Sequence, residues 1–159
     1  MRAVLTLHSV DPSGSVISIT AEQLDSLLDA ILGSGHAIVS LPELLRTPGV
    51  PDRIALSFDD GLASVAEEAF PLLARRGLPA AVFVVTDHVG QDNLWPSQPA
   101  NIPRLPTMGW GELEALRDAG WEIGSHTATH PDPRSLSRRA GEDEIGRAQR
   151  TLTERLGQP

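Results

Sequence analysis

The sequence of 159 residues contains no cysteine, no lysine and no tyrosine, so all thirteen of its basic side chains are arginines. The lack of cysteine excludes a thiol nucleophile, a disulfide and a cysteine-ligated zinc site. The lack of lysine excludes a Schiff base and the lysine of a phosphate-binding loop. Any catalysis must therefore come from aspartate, glutamate, histidine, serine, threonine or arginine, with or without a metal ion.

The sequence also has no excess of positive charge and no long apolar run. Its formal net charge is −8 at pH 7, whereas a protein that binds nucleic-acid phosphates needs a basic face. Its apolar runs are no longer than strands, so we predict neither a nucleic-acid partner nor a membrane span. Residues 1–8 leave no room for a secretory signal, so the chain as written is expected to be cytoplasmic.

The composition, with 40% hydrophobic and 21% charged residues, is typical of one globular domain over residues 1–159. Apolar runs predict strands at residues 3–7, 37–41, 54–58, 80–86 and 122–125. Helical periodicity predicts helices at residues 24–32, 62–76, 110–119 and 137–156. Because strands and helices alternate, we predict parallel strands with right-handed crossovers, and hence an open α/β sheet or a (β/α) barrel.

Several local patterns refine the predicted helices and loops. Thr20 and Gln23 form a capping-box pattern before the first helix, and Pro71 should kink or break the second. Residues 87–106 form a long loop, which in a compact domain is usually functional or mobile. In the last helix four residues are predicted to face inward: Ile145, Ala148, Leu152 and Leu156.

Carboxylates and histidines fall directly after predicted strands. Asp59 and Asp60 follow the strand at 54–58, and His126 and His130 follow the strand at 122–125. Each pattern alone is weak, because Asp-Asp-Gly also forms ordinary turns and two histidines often lie on a surface. The C-terminal ends of parallel strands meet at one edge of a sheet, however. One carboxylate and two imidazoles there would suit Zn²⁺ or a similar ion, whereas Mg²⁺ would require more oxygen ligands.

Three further residues have possible roles at such a site. A carboxylate that is not used by the metal can act as the base for a bound water. His8, at the end of the first predicted strand, is expected to line the site or to form a hydrogen bond in the core. Trp95, in the long loop, is expected either to stack on a sugar ring or to cover the core.

These residues resemble the polysaccharide deacetylase family, carbohydrate esterase family 4. Residues 57–61 (SFDDG) are similar to its first motif and residues 126–131 (HTATHP) to its second, and residues 7–10, 77–84 and 119–126 fit the surrounding pattern. The resemblance implies an incomplete, distorted (β/α) barrel that removes N-acetyl, sometimes O-acetyl, groups from amino-sugar polymers. It also implies Asp59 as the general base, and a divalent metal, with Zn²⁺ expected, on Asp60, His126 and His130.

The resemblance also has a limit. In the family the chain continues into further barrel strands, which carry an Arg/Pro-Tyr motif, an aspartate motif and a Leu-x-His motif with the general acid. Since this sequence has none of them, we expect a C-terminally truncated deacetylase, or a short relative that pairs its open sheet edge with a second copy. A non-catalytic module that binds metal or sugar, and a hydrolase of small amides with the same fold, remain alternatives.

Overall fold

The computed structural model describes residues 1–157, in which parallel strands alternate with helices. Its strands are β1 (Arg2–Leu7), β2 (Ser9–Val10), β3 (Ser18–Ile19), β4 (Ala37–Ile38), β5 (Arg53–Phe58), β6 (Ala81–Val84) and β7 (Glu122–Ser125). Its α-helices are α1 (Ala21–Gly33), α2 (Leu41–Arg46), α3 (Phe70–Ala74), α4 (Trp110–Asp118) and α5 (Arg138–Leu156). A π-helical segment at Val65–Ala69 precedes α3, and 3₁₀ turns lie at Thr86–His88 and Pro133–Ser135.

The main sheet has five strands, and all of its pairings are parallel. Its order is β1-β5-β6-β7, and the short β4 pairs with the N-terminal end of β5. Within residues 1–157, β1 and β7 are edge strands and the sheet does not close on itself. The predicted incomplete barrel is therefore confirmed. None of the helices described is both long and apolar enough to cross a lipid bilayer.

The two faces of the sheet have different surroundings. Ile54, Leu56 and Phe58 alternate along β5 and are buried in the main core together with leucines of α1, α3, α4 and α5. The Phe58 ring also stacks on Trp121, with 5.8 Å between centroids. On the opposite face, α2 covers Ala55, whereas Val4 of β1 is 46% exposed. This second face is thus only partly covered by the described residues.

The helices follow the sequence patterns with one interruption and one exception. The capping box of Thr20 and Gln23 is present at the start of α1. The Phe70 N–H bonds to the carbonyl of Val65, five residues earlier, which is a π turn. The next residue, Pro71, has no N–H and therefore interrupts the α-helical hydrogen bonds at this point.

The prediction for Ile145 is wrong. Ile145 is 61% exposed, because no described element covers the outer side of α5 at this position.

Gly61 makes the turn that follows β5. Its φ is +69°, a left-handed conformation that glycine adopts without steric cost. Its carbonyl accepts a hydrogen bond of 2.8 Å from the Met108 N–H. A Cβ atom added at this position would lie 2.8 Å from Cγ1 and 3.1 Å from Cβ of Val84. The turn therefore requires glycine both for its conformation and for its close approach to β6.

We predict that Gly61→Ala lowers the free energy of unfolding by about 2–4 kcal/mol, since it adds left-handed strain and a contact that is too close. The matched control is Gly111→Ala in α4, where an added Cβ meets nothing within 4 Å. That change should stabilise the chain by about 0.5–1 kcal/mol. Denaturant unfolding measures both values, and equal midpoints for the two variants would contradict the prediction.

Candidate metal centre

The carboxylates and histidines predicted from the sequence meet at one edge of the sheet. Asp59 and Asp60 directly follow β5, and His126 directly follows β7. His130 lies four residues further on, in the same turn. Three of these side chains converge: one potential ligand atom from each of Asp60, His126 and His130 lies within 4.8 Å of the other two.

The spacing of these three side chains fits a metal ion. Oδ1 of Asp60 lies 3.4 Å from Nε2 of His126 and 3.5 Å from Nε2 of His130. Ligand atoms at about 2.1 Å from a tetrahedral ion are roughly 3.4 Å from each other. Asp60 is only 6% exposed, and its buried Oδ1 has no hydrogen-bond partner among the described residues. A buried carboxylate oxygen without a partner is costly, and a bound cation would remove that cost.

Burial shifts the protonation of all three groups toward their neutral forms. Burial raises the pKa of Asp60, against the charges of His130 and His8, and the neighbouring Asp59 adds to the rise. Burial lowers the pKa of His126 and of His130, against the charges of Asp59 and Asp60 respectively. Both imidazoles are therefore neutral near pH 7, which is the form that binds a metal.

The long loop orients His130 through Ser97. The Ser97 hydroxyl donates its only proton to the His130 carbonyl oxygen, and its Oγ lies 3.0 Å from Nδ1 of the same residue. Oγ must then accept a hydrogen bond from Nδ1–H, because no second hydroxyl proton is available. Nε2 of His130 is consequently left without a proton and faces Asp60. No local pattern predicts this contact, because Ser97 lies in an unpatterned loop.

Trp95 supports the site from inside. It is only 2% exposed, and its ring lies against His130 with 4.6 Å between centroids and against His88 with 5.5 Å. A buried ring cannot present a face to a sugar, so the expected stacking role for Trp95 is not supported and its core role is. His8 is half-buried at the end of β1, and its charge acts on Asp60.

Comparison with known proteins identifies the family. A model of the family "Polysaccharide deacetylase" matches residues 46–159. The chain belongs to this family. A poly-β-1,6-N-acetyl-D-glucosamine N-deacetylase of Staphylococcus aureus is 27% identical over 115 residues, which are 69% of this chain and 37% of the relative. The corresponding Staphylococcus epidermidis protein is 24% identical over the same shares. The chain thus spans little more than a third of these relatives.

Two solved structures also resemble the chain. IcaB from Ammonifex degensii has a TM-score of 0.83 and 26% identity, over 99% of this chain and 70% of that one. The Streptococcus pyogenes deacetylase PplD, solved with acetate, has a TM-score of 0.78 over 98% of this chain and 69% of that one. At 19% identity, PplD supports the fold alone.

We predict that the metal-free chain loses stability as the pH falls below about 6.5. The folded pKa values of His126 and His130 lie below the ordinary value of 6.5, so the unfolded chain binds more protons in the window between the two values. The free energy of unfolding therefore decreases as the pH falls, by at most about 1.4 kcal/mol per pH unit for each histidine. The raised pKa of Asp60 has the opposite effect. Between its folded pKa and the ordinary value of 3.8 the folded chain binds more protons, so the free energy of unfolding increases there as the pH falls.

Denaturant unfolding of the chelator-treated chain between pH 7.5 and 5 measures this dependence. The control is the double variant His126→Gln/His130→Gln, in which the slope should largely disappear. An equal slope in both proteins would show that other groups cause it.

Proposed function

We propose that the chain carries the metal-binding and base-supplying part of a metal-dependent deacetylase. Its substrate would be an N-acetylated, or O-acetylated, amino-sugar polysaccharide or oligosaccharide. The observation that carries the proposal is the buried, unpartnered Oδ1 of Asp60 between Nε2 of His126 and Nε2 of His130. The family and the names of the staphylococcal relatives support the acetylated amino sugar as the substrate class.

In this proposal Asp60, His126 and His130 hold the ion, and two imidazoles with one carboxylate make Zn²⁺ the expected one. When bound, the ion would polarise the acetyl carbonyl and increase the acidity of a water molecule. Asp59 is the proposed base. It directly follows β5 beside Asp60, and its charge acts on both His126 and Asp60; a carboxylate that is not used by the ion could accept the proton of an attacking water. His8, half-buried at the same edge, is proposed to contact the substrate.

A second candidate is a module that binds metal or saccharide without turnover. It rests on the same group of Asp60, His126 and His130 and differs from the first candidate in having no group that protonates the leaving amine. Groups that protonate the leaving amine commonly contribute about 10²–10⁴ in rate. A chain with a complete metal site and no such group would bind its ligands and release little acetate. The two candidates therefore differ in turnover and agree on metal binding.

We predict that the purified chain binds about one zinc-like ion. Asp60→Ala and His126→Ala should each abolish binding, because each removes one of only three protein ligands. Asp59→Asn should leave the metal content unchanged and remove any turnover. Elemental analysis after dialysis measures the content. Full occupancy in Asp60→Ala would exclude the proposed ligand set.

Acetate release from N-acetylglucosamine oligomers, with and without chelator, tests the function on the same proteins. Chelator-sensitive release that is lost in Asp59→Asn supports the deacetylase. Metal and saccharide binding without release supports the second candidate. Release that resists chelation would indicate a hydrolase that needs no metal.

We further propose that a second copy covers one of the edge strands, β1 or β7. An unpaired edge strand presents free N–H and C=O groups that readily pair with another strand. For a chain of 17.0 kDa, we predict twice that mass in light scattering at micromolar concentration. A monomeric mass would reject this part of the proposal without affecting the metal centre.

A further inference from the structure

The turn from His126 to His130 has a conformation that must be held by its surroundings. Thr127 and His130 have φ values of +69° and +54°, and neither is glycine. Side chains adopt this left-handed region rarely and at a cost, so strained residues of this kind persist only where neighbouring contacts fix them. Because both proposed imidazole ligands are attached to this turn, its conformation determines where they lie.

Every backbone N–H of the turn has a partner. His126 donates to the Val84 carbonyl at 2.8 Å. The Thr127 N–H donates to the Ser125 hydroxyl at 3.2 Å, and the His130 N–H donates to the Thr127 hydroxyl at 3.0 Å. The two central N–H groups, of Ala128 and Thr129, both donate to Oε2 of Glu144, at 3.1 and 2.9 Å. The centre of the turn is thus held by one carboxylate from helix α5.

Glu144 is itself well held. Its side chain is only 15% exposed, and Oε1 accepts a hydrogen bond of 2.8 Å from Arg147, one turn further along α5. Arg147 also pairs with Asp87, whose N–H donates to the Ala128 carbonyl at 2.9 Å. Although burial acts to raise it, the pKa of Glu144 is lowered by the hydrogen bonds of Thr129, Arg147 and Ala128. An ionised carboxylate on consecutive backbone N–H groups is a strong, charge-assisted contact.

We propose that Glu144 is a positioning residue for the metal centre. Its carboxylate fixes the peptide groups at Ala128 and Thr129, and so holds the imidazoles of His126 and His130 at their converging distance from Asp60. The consequence for metal affinity rests on the proposed function, whereas the effect on the turn does not. Outer partners of metal ligands commonly contribute about 10–100-fold in affinity.

Metal affinity separates this role from general stability. By competition with a chromophoric zinc chelator, Glu144→Ala should bind Zn²⁺ about 10–100-fold more weakly than the unchanged chain. Glu144→Gln keeps one oxygen for both N–H groups but turns its amide N–H₂ toward Arg147, so we expect an intermediate loss. Arg147→Met removes the ion pair and leaves the carboxylate on the turn, so its affinity should change by less than about threefold.

The matched control for stability is Leu152→Ala on the same helix. Leu152 is buried eight residues beyond Glu144 in α5, so its truncation destabilises the fold while leaving the Glu144 carboxylate unchanged. We expect this variant to keep its zinc affinity within about threefold, although it unfolds at lower denaturant. An affinity loss in Leu152→Ala as large as that in Glu144→Ala would show that only stability matters, and would overturn the proposal.

A metal-free readout keeps the test independent of the proposed metal centre. In the unchanged chain the amide protons of Ala128 and Thr129 should resonate downfield and exchange slowly. Both properties should be lost in Glu144→Ala and retained in Arg147→Met. If the unchanged chain binds no zinc, the proposed metal centre is rejected, and these amide signals alone test the role of Glu144. Unchanged amide signals in Glu144→Ala would overturn that role.

If Glu144→Ala does not fold, the amide signals of Glu144→Gln are compared with those of Arg147→Met instead. Equal signals in these two variants would likewise overturn the role of Glu144.

Discussion

The structure depends on one unfavourable burial: the carboxylate of Asp60, which lies at the end of the central strand with an oxygen that no described residue satisfies. A group of this kind destabilises a fold unless a cation compensates for it. The neighbouring backbone carries further cost, since Asp60 itself has a φ of +71°. The close approach of Gly61 to Val84 allows this turn. Stability is thus given up locally at the point where the chemistry is proposed.

The contacts that support the site come from outside the two motifs that define it. The long loop supplies Ser97, which fixes the tautomer of His130, and Trp95, which packs against its ring. Helix α5 supplies Glu144, which holds the centre of the histidine turn. The motifs therefore provide the proposed ligand atoms, while distant segments provide their orientation. This division explains why a centre built from two strand ends can keep neutral, converging imidazoles.

The sequence predicted the fold well where the local pattern and the tertiary environment agree. Strands β5 and β6 are buried on both faces, so they appear as continuous apolar runs. The carboxylates and histidines were correctly placed together because parallel strands bring their C-terminal ends to one edge. The error at Ile145 has a physical cause, because helical periodicity indicates the apolar side of α5 but not whether another element covers it. For Trp95 two roles stayed open, because the presence of a tryptophan does not reveal whether its ring will be buried. The roles of Ser97 and Glu144 depend on contacts over 33 and 15–16 residues, for which no local signal exists.

The position of these contacts also separates the demands of the proposed metal site from those of turnover. Ligand atoms of Asp60, His126 and His130 converge, and Glu144 in α5 holds the turn that carries the two histidines. Protonation of a leaving amine places a different demand, since it requires an acid within hydrogen-bond reach of the amine nitrogen. On the partly covered face of the sheet, between β1 and β7, the described residues provide little enclosure. The proposed metal site and the completion of the reaction therefore place separate physical demands on the fold.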